Sequence, residues 1–238
     1  MHRIYISDLH LSDESEPQFA TLAALLRHEA PRADAIFILG DLCEAWVGDD
    51  DDSPLATALR AALKYAGEQT SLHVMRGNRD FLLGERFAAE IGCCLVEDPC
   101  LIDPDTLIAH GDAFCIDDEA YQAMRRVLRS EAWQQDVLAR PLEERRGLAA
   151  QMREQSRLSN ANKAENIMDV SADEVDRTVK EYGARRLIHG HTHRPGVHPG
   201  DWGTRYVLGS WEHCGWLLRE QDTVTALECF PLSGRYGT

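Results

Sequence analysis

The stretch AIFILGD, residues 35–41, places five consecutive apolar residues directly before a glycine and an aspartate. A continuous apolar run of this length is typical of a strand that is covered on both faces, as in a parallel sheet flanked by helices. The Gly40-Asp41 pair then falls at the carboxyl end of the strand, where α/β sheets bind ligands. The stretch therefore predicts an α/β fold with a site at one edge of its sheet.

The chain on both sides of this stretch alternates between strand and helix patterns. The predicted strands are Arg3–Ser7, Ala35–Leu39, Leu72–Met75, Thr106–Ala109, Arg186–Ile188, Tyr206–Leu208, Gly215–Leu218 and Val224–Glu228. The predicted helices are Phe19–Glu29, Pro54–Tyr65 and Arg86–Glu90. Residues 118–180 have helical composition and no convincing strand, so a helical insertion interrupts the sheet. We predict a core of residues 1–117 and 171–238 with an insertion at 118–170.

Polar side chains follow five of the predicted strands, at the point where each strand ends. We call these seven residues the ligand set: Asp8, His10, Asp41, Asn78, His110, His191 and His193. Carboxylate, imidazole and carboxamide donors without cysteine favour Mn²⁺, Fe²⁺ or Zn²⁺ at higher coordination over a structural zinc site. The pattern therefore predicts a metal site at the carboxyl edge of the sheet.

Seven ligands are too many for one ion but suffice for two when a carboxylate is shared, and we assign Asp41 as the shared residue. One ion would take Asp8, His10 and His193, and the other Asn78, His110 and His191. Two metals about 3.5–4 Å apart can hold a hydroxide nucleophile and neutralise a phosphoryl transition state. The neighbouring His189 and Asp112 are expected to contact the ligand side chains outside the metal site and to fix their orientation.

The formal net charge of −15 argues against nucleic acid as a partner, because phosphate backbones attract basic surfaces. It equally disfavours electrostatic docking on anionic lipid. Residues 118–165 are the exception, since nine Lys or Arg and eight Asp or Glu give them a net charge of +1, against −16 for the rest. An anionic ligand could therefore approach the insertion.

The chain has no apolar stretch of the roughly 20 residues that span a membrane. Its N-terminus lacks the pattern of a secretory signal, so we expect a cytoplasmic protein. The seven cysteines match no disulfide or zinc pattern, and we expect reduced, mostly buried thiols. The acidic run Asp49–Asp52 is expected to be a solvated loop before the helix at Pro54, where acids suit the positive end of the helix dipole.

The signatures DLH, GD, GNRD, HGD and GHTH, spread over residues 8–193, resemble those of the calcineurin-like metallophosphoesterase superfamily. The resemblance implies an α/β fold of two packed mixed sheets flanked by helices, an αββα sandwich. It also implies an enzyme that hydrolyses phosphate esters or anhydrides. The helical insertion would then form a lid on the sandwich.

Longer stretches are similar to the UDP-2,3-diacylglucosamine diphosphatase family of Gram-negative lipid A biosynthesis. They are GDLCEAWVGDDD (40–51), GNRDFLLG (77–84), HGDAFCIDDEAYQ (110–122), NIMDV (166–170) and LIHGHTHRP (187–195). This resemblance implies hydrolysis of UDP-2,3-diacylglucosamine to UMP and 2,3-diacylglucosamine 1-phosphate (lipid X). It further implies two Mn²⁺ ions and peripheral attachment at the cytoplasmic face of the inner membrane.

The matching motifs also imply roles for particular residues. The substrate contacts would be Asn78, Arg79, Asp118, Ser156, Asn160 and Lys163, with His191 touching both metal and substrate. The catalytic residues would be Asp41 and Arg79. We expect hydroxide to attack the α-phosphorus while Asn78 and Arg79 stabilise charge on the phosphoryl oxygens. Lipid X would depart through its 1-phosphate.

Arg79 is a departure from the superfamily pattern, because many members carry GNH where this chain has Gly77-Asn78-Arg79. Their histidine protonates the leaving group or assists charge development. An arginine cannot donate a proton at neutral pH, since its pKa is above about 12, but its planar fork can clamp a phosphate oxygen. A departing phosphate monoester needs little protonation, so Arg79 favours a diphosphate substrate over an alkyl phosphodiester.

The insertion carries apolar residues, many of them at helical spacing: Tyr121, Met124, Val127, Leu128, Trp133, Val137 and Leu138. An ordinary packed helical hairpin and a lid that covers acyl chains would both produce this pattern, and both interpretations can hold together. In the second, basic residues would lie near the diphosphate or lipid headgroups: Arg125, Arg126, Arg129, Arg153, Arg157 and Lys163. Hydrophobic docking would then hold an acidic chain at a membrane.

Two other functions stay open at this point. A hydrolase of the same fold could act on a soluble nucleotide or dinucleoside polyphosphate, which would not need the long insertion. A non-catalytic scaffold would lack one or more ligands, whereas all seven residues of the ligand set are present. Metal analysis and a comparison of lipid with soluble substrates would separate the three.

Overall fold

The computed structural model describes residues 1–160, 169–232 and 236, except for the side chains of residues 159 and 160. Within these residues the α-helices are α1 (Pro17–Glu29), α2 (Pro54–Gln69), α3 (Glu85–Ile91), α4 (Glu119–Leu128), α5 (Glu131–Leu138), α6 (Leu142–Asn160) and α7 (Ala172–Tyr182). The strands are β1 (His2–Ile6), β2 (Ala35–Leu39), β3 (Ser71–Met75), β4 (Cys93–Val96), β5 (Cys100–Asp103), β6 (Thr106–Ala109), β7 (Arg186–His189), β8 (Gly196–Gly200), β9 (Gly203–Val207), β10 (Gly215–Gln221) and β11 (Val224–Phe230). No described helix has the length and apolar content that crossing a bilayer requires.

The strands form two mixed sheets. One has six strands in the order β11-β10-β1-β2-β3-β4, and the other has five in the order β5-β6-β7-β9-β8. Strands β1 to β4 run parallel to one another, as do β6, β7 and β9. Antiparallel strands extend the sheets at β10, β11, β5 and β8. The carboxyl ends of the parallel strands are therefore collected at one edge of each sheet.

Alternation along each strand sends neighbouring side chains into different layers. In β2, Ile36 and Ile38 join the apolar cluster that includes residues of α1 and α2, whereas Phe37 and Leu39 pack with residues of the second sheet. The outer face of the second sheet packs on α7, with Leu187 in the shared cluster. The layers run helix, sheet, sheet, helix, which confirms the predicted αββα sandwich.

The predicted elements agree with the structure to within four residues at their ends, but three strands were missed. Strand β4 is only four residues long and contains two cysteines, so its apolar signal is weak. Strands β5 and β8 lie at the two edges of the second sheet, and most of β8 is exposed. An edge strand with one partner has little need for apolar residues, and sequence patterns detect it poorly.

Helices α4, α5 and α6 lie within the predicted insertion, of which residues 161–168 fall outside the described residues. The division into a core and an insertion domain stays a prediction. The expectation of mostly buried thiols is wrong, because only Cys43 and Cys115 are buried among seven free cysteines. Four of the other five lie on the edge strands β4, β5 and β11, where solvent reaches the side chains.

Candidate metal centre and adjoining cleft

The carboxyl ends of five strands bring the ligand set together where the two sheets meet. Strand β1 is followed by Asp8 and His10, β2 by Asp41, β3 by Asn78, β6 by His110, and β7 by His191 and His193. Donor atoms of Asp8, His10 and His193 all lie within 4.8 Å of one another, and so do those of Asp41, His110 and His191. Six of the seven predicted positions therefore converge in two groups.

Asp41 lies between the two groups. Its Oδ1 is 3.7 Å from Nε2 of His110, and its Oδ2 is 3.7 Å from Nε2 of His10. The backbone N–H of Arg79 donates to Oδ1 at 2.8 Å and helps to hold the carboxylate in this orientation. A buried carboxylate that turns one oxygen toward each group has the arrangement that a shared ligand needs.

Asn78 faces two imidazoles at once. Its Oδ1 is 2.9 Å from Nε2 of His110 and 2.9 Å from Nδ1 of His191. Nδ1 of His110 is 2.9 Å from the carbonyl oxygen of Leu39, which can only accept, so that nitrogen carries the proton in the neutral ring. Nε2 of a neutral His110 then presents a lone pair to the oxygen of Asn78. Two acceptors facing each other at this distance fit a cation between them.

Asp8 gives independent support for a cation. Its Oδ2 accepts hydrogen bonds from Ser7 Oγ at 2.5 Å and from the backbone N–H of His191 at 2.9 Å. Its Oδ1 is buried and has no hydrogen-bond partner among the described residues, although it lies 3.5 Å from Nε2 of His193. A buried anionic oxygen without a partner is unfavourable, and a bound divalent cation would satisfy it.

The two central histidines have opposite pKa shifts. Burial opposes protonation of His110, but the carboxylates of Asp41, Asp112 and Asp8 outweigh it and raise its pKa to about 9. Burial and the neighbouring His110 lower the pKa of His191 to about 4. The carboxylates thus favour a positive charge in the group of Asp41, His110 and His191. Without a metal the proton on His110 supplies that charge, and a bound metal ion would displace the proton.

The backbone around the ligands is held in an uncommon conformation. Five ligands have positive φ angles between 51° and 66°: Asp8, His10, Asp41, His191 and His193. Such conformations cost roughly 1–3 kcal/mol each and persist where the surroundings fix them. A Cβ added at Gly77 would lie 2.2 Å from Asp41 Oδ1, and one added at Gly190 would lie 2.1 Å from Asp8 Oδ2. The loops therefore approach the ligands too closely for any larger residue.

Glu44 supports the centre, and the sequence interpretation missed it. Its Oε2 is 3.0 Å from Nδ1 of His10, which turns Nε2 of that ring toward the ligand set. Its Oε1 lies 3.8 Å from Arg79 Nη1 and 3.7 Å from Arg153 Nε. The only signal in the sequence was its position three residues after Asp41, within the loop that follows β2.

Asp80 is a second carboxylate that was missed. It accepts the backbone N–H groups of Leu42 and Gly77, both at 2.7 Å, and it is fully buried. These bonds tie the loop after β2 to the loop after β3. Burial and the negative charge of the nearby Asp41 raise the pKa of Asp80 to about 6.

The hydrogen bonds of His189 and Asp112 do not support the expectation that these residues orient the ligands, which stays a prediction. Nδ1 of His189 is 2.9 Å from the carbonyl oxygen of Gly190, and the ring is fully buried. Asp112 accepts from Tyr121 and Arg125 of α4. Neither residue forms a hydrogen bond with a side chain of the ligand set in the part of the chain that the structure describes. After His110 the chain turns, so Asp112 faces the insertion instead.

A cleft runs from the ligand set beneath α4, α5 and α6, and we call it the insertion cleft. Its volume is about 280 Å³, and it is partly open to solvent. Its apolar walls include Trp46, Phe81, Leu82, Leu128, Trp133, Val137, Leu148 and Met152. Glu44, Asn78 and Arg79 also line it. The cleft is therefore polar where it meets the ligand set and largely apolar elsewhere.

The predicted substrate contacts are distributed unevenly. Asn78, Arg79 and Ser156 line the insertion cleft. Asp118 is 8% exposed and caps α4 by accepting the backbone N–H of Tyr121 at 3.1 Å. The side chain of Asn160, the last residue of α6, and all of Lys163 lie outside the described residues. The predicted roles of these residues stay predictions, as do the individual metal-ligand assignments.

The acidic run Asp49–Asp52 is solvated as we expected only in part, at the exposed Asp50 and Asp52. Asp49 accepts two backbone N–H groups at the beginning of α3, both at 2.9 Å. Asp50 pairs with Arg145 of α6 at 2.5 Å, and Arg146 pairs with the two acids that follow. These acids hold α6 against the core. The arginines lie about 95 residues further along the chain, so no local pattern reveals the pairing.

Comparison with known proteins identifies the family. The model of the calcineurin-like phosphoesterase family matches residues 1–195, which include the whole ligand set. The chain belongs to this family. The match confirms the predicted resemblance and the predicted fold class. The family's fold implies divalent metal ions, and the ligand set offers two groups of side chains that could hold them.

Several curated proteins are similar over nearly the whole chain. A UDP-2,3-diacylglucosamine hydrolase of Coxiella burnetii (strain Dugway 5J108-111) is 44% identical, with 97% of this chain and 98% of that protein covered. A UDP-2,3-diacylglucosamine hydrolase of Cellvibrio japonicus is 45% identical, with 95% and 98% covered. These relatives confirm that the chain is a hydrolase.

A solved structure of an archaeal phosphodiesterase has a similar fold. It matches with a TM-score of 0.52 at 12% sequence identity, and covers 97% of this chain and 100% of that one. At this identity the likeness shows the two-sheet fold alone. The substrate therefore has to be argued from the site.

Proposed function

We propose that this chain hydrolyses the diphosphate of UDP-2,3-diacylglucosamine, releasing UMP and lipid X in a step of lipid A biosynthesis. The names of the relatives support the choice of substrate. The observation that carries the proposal is the junction of the ligand set with the insertion cleft at Asn78 and Arg79. A diphosphate that bears acyl chains needs a phosphate site and an apolar site that are continuous, and this junction supplies both.

Arg79 is well placed to bind a phosphoryl oxygen. Its Nε is buried without a hydrogen-bond partner among the described residues, and its Nη1 stays 3.8 Å from Glu44, beyond hydrogen-bond distance. A guanidinium with unsatisfied donors beside a cleft can clamp an anionic oxygen. Its fixed charge would stabilise the charge that develops on the phosphoryl group, as we inferred from its replacement of histidine.

The ligand set would hold two divalent cations with Asp41 shared, and we propose Mn²⁺ as the native metal. When bound, such cations supply Lewis-acid activation and neutralise phosphoryl charge. Asp41 already keeps one oxygen toward each group. Asn78 serves a double role, because its Oδ1 faces two histidines while its side chain also lines the insertion cleft.

The insertion cleft would bind the acyl chains. Phe81 from the core and Trp133 from α5 approach each other with ring centroids 5.8 Å apart, and Met152 of α6 also lines the cleft. Each methylene that leaves water for such a wall stabilises the complex by about 0.8 kcal/mol. Ser156 and Arg153 add polar groups from α6, and Asp118, Asn160 and Lys163 remain proposed contacts.

The same substrate suggests where the protein works. We propose peripheral binding to the cytoplasmic face of the inner membrane through apolar side chains rather than through net charge. Large apolar residues in and beside α4, α5 and α6 are exposed by 42% to 55%: Ile116, Met124, Val127, Leu138 and Leu158. Side chains of this kind can enter the interfacial region of a bilayer. Flotation with vesicles would test the location separately from the reaction.

UMP release by chelator-stripped protein, with and without added Mn²⁺, tests the reaction. The matched substrates are UDP-2,3-diacylglucosamine, UDP-N-acetylglucosamine, which has no long acyl chains, and bis(p-nitrophenyl) phosphate. We expect Mn²⁺-dependent release with a strong preference for the diacylated substrate, because only that substrate fills the insertion cleft.

Each other outcome would overturn a named part of the proposal. Hydrolysis of the diester alone would leave a metal-dependent phosphoesterase and remove the lipid substrate. Equal rates on the two UDP-sugars would assign the activity to soluble nucleotides and take the acyl chains out of the cleft. Higher turnover with another divalent ion than with Mn²⁺ would overturn only the choice of metal.

A further inference from the structure

Helix α4 packs beside the metal centre with little apolar anchorage, because Leu128 alone among its side chains packs against the main core cluster. None of its ten residues is fully buried, and several of its apolar side chains face the insertion cleft or solvent. A helix of this length has little stability by itself in water. Some other set of contacts must therefore fix its position.

These contacts converge on Asp112, the acid of the HGD motif. Its Oδ2 accepts from Tyr121 Oη at 2.7 Å and from Arg125 Nε at 2.8 Å, and it lies 3.7 Å from Arg129 Nη2. Its backbone carbonyl accepts from Gln122 Nε2 at 2.7 Å. Three residues of α4 and Arg129, which follows the helix, thus contact one fully buried aspartate.

Asp98 completes the arrangement. It lies 3.5 Å from Arg125 Nη2, and its Oδ1 accepts the backbone N–H of His110 at 3.0 Å. Two carboxylates and two guanidinium groups then balance in charge between the core and α4. Removing one partner from such a buried network is strongly destabilising, because the remaining charges lose their compensation.

We propose that Asp112 is a positioning residue that docks α4 on the core and so holds one wall of the insertion cleft beside the metal centre. The wall in question carries Tyr121, Met124 and Leu128. The ring of Tyr121 lies 6.0 Å from that of His191, so the docked helix reaches the ligand set directly. The consequence for lipid substrates rests on the proposed function, whereas the docking itself does not.

Hydrogen–deuterium exchange of α4 tests the docking in the full chain loaded with Mn²⁺. We expect amides of α4 to exchange at least about tenfold faster in Asp112→Asn than in wild type, because a neutral amide loses the charge that both arginines require. Asp117→Asn is the matched control, since it makes the same chemical change on an exposed side chain nearby. Tyr121→Phe removes one hydroxyl without threatening the fold, and we expect an intermediate increase.

A kinetic split separates positioning from general damage. In Asp112→Asn, KM for UDP-2,3-diacylglucosamine should rise by about tenfold or more, whereas metal content should match wild type. Amides of α4 in the double variant Asp112→Asn/Arg125→Met should exchange no faster than in the more affected single variant, since both substitutions break the same ion pair.

Wild-type exchange of α4 in both Asp112→Asn and Tyr121→Phe would overturn the proposal. So would a loss of metal from Asp112→Asn, because the residue would then act on the ligand set. If wild type failed to hydrolyse the lipid nucleotide, the proposed function would fall, and the exchange data alone would decide the docking.

Discussion

The ligand set and the insertion cleft meet at Asn78 and Arg79, yet the chain builds them by opposite means. Strand ends and tight loops fix the ligands, five of which have positive φ angles. The walls of the cleft come mainly from three helices whose cleft-facing side chains are mostly half-buried. Polar links to Asp112 and Asp50 hold these helices on the core.

This difference separates two requirements of the proposed reaction. Chemistry at phosphorus needs donors held to a fraction of an ångström, which buried strand ends can supply. Acyl chains need a surface that opens and adapts, and elements held by few links open at low free-energy cost. Changes at the ligand set should therefore abolish turnover, whereas changes at the cleft should alter recognition by smaller factors.

Asp41→Ala should produce the largest effect. We expect kcat to fall by about a thousandfold or more and the protein to bind less than two equivalents of metal, because both groups lose a ligand. Elemental analysis of dialysed protein and UMP release would be measured together. Asp222→Ala is the control, since Asp222 also has a positive φ angle but hydrogen-bonds to Met1, before the start of β1, whereas the ligands follow the ends of strands. Full metal occupancy in Asp41→Ala would contradict the shared role.

Arg79→Ala should produce the second-largest loss of activity. Without the guanidinium, charge on the phosphoryl oxygens loses its clamp, and we expect kcat/KM to fall by about a hundredfold to a thousandfold with metal content intact. Arg79→Lys keeps the charge but not the fork, so it should recover only part of the rate. Arg27→Ala, an exposed arginine on α1, is the matched control. A wild-type rate in Arg79→Ala would refute the clamp.

The ligand set was predictable because each part of it follows a short run of the kind that is typical of a strand. Parallel strands collect their carboxyl ends at one edge, so local patterns at residues 8, 41, 78, 110 and 191 combine into one site. The positive φ angles were not visible, since Asp and His give no local sign of them. Glu44 and Asp80 were missed because an acid near a motif is usually solvated.

The cleft was less predictable for a physical reason. Apolar spacing indicated helices in the insertion, but the same spacing suits a closed hairpin and an open lid. The links that decide the outcome join Asp112 to Arg125, and Asp50 to Arg145, through contacts between different elements. Ion pairs of this kind leave no periodic pattern, so the acids looked like parts of a solvated loop or of the metal site.

Met152→Gln should weaken recognition of the acyl chains in the insertion cleft without affecting the ligand set. A polar amide in the apolar wall disfavours an acyl chain, and we expect KM for UDP-2,3-diacylglucosamine to rise by roughly tenfold. UDP-N-acetylglucosamine should show no corresponding change, and metal content should match wild type. Val224→Gln makes the same kind of change at a side chain that is 63% exposed. Equal effects on both UDP-sugars would remove the acyl chains from this wall.

Arg145→Met should have the smallest effect, confined to the attachment of α6. Arg145 donates to the carbonyl oxygen of Val47 at 2.6 Å and to both oxygens of Asp50, and its side chain is 3% exposed. We expect Tm to fall by roughly 3–6 °C, with metal content unchanged, because the ligand set does not depend on this link.

The pH dependence of the fall in Tm in Arg145→Met tests whether the ion pair with Asp50 causes it. The hydrogen bonds from Arg145 hold the pKa of Asp50 below its ordinary value of 3.8. A carboxyl with a lowered pKa stabilises the native state above its ordinary pKa, and that contribution is lost as pH falls through the lowered value. The Tm difference between wild type and Arg145→Met should therefore be smaller at about pH 3 than at pH 7. An equal difference at the two pH values would mean that packing of the arginine stem, and not its pairing with Asp50, attaches α6 to the core.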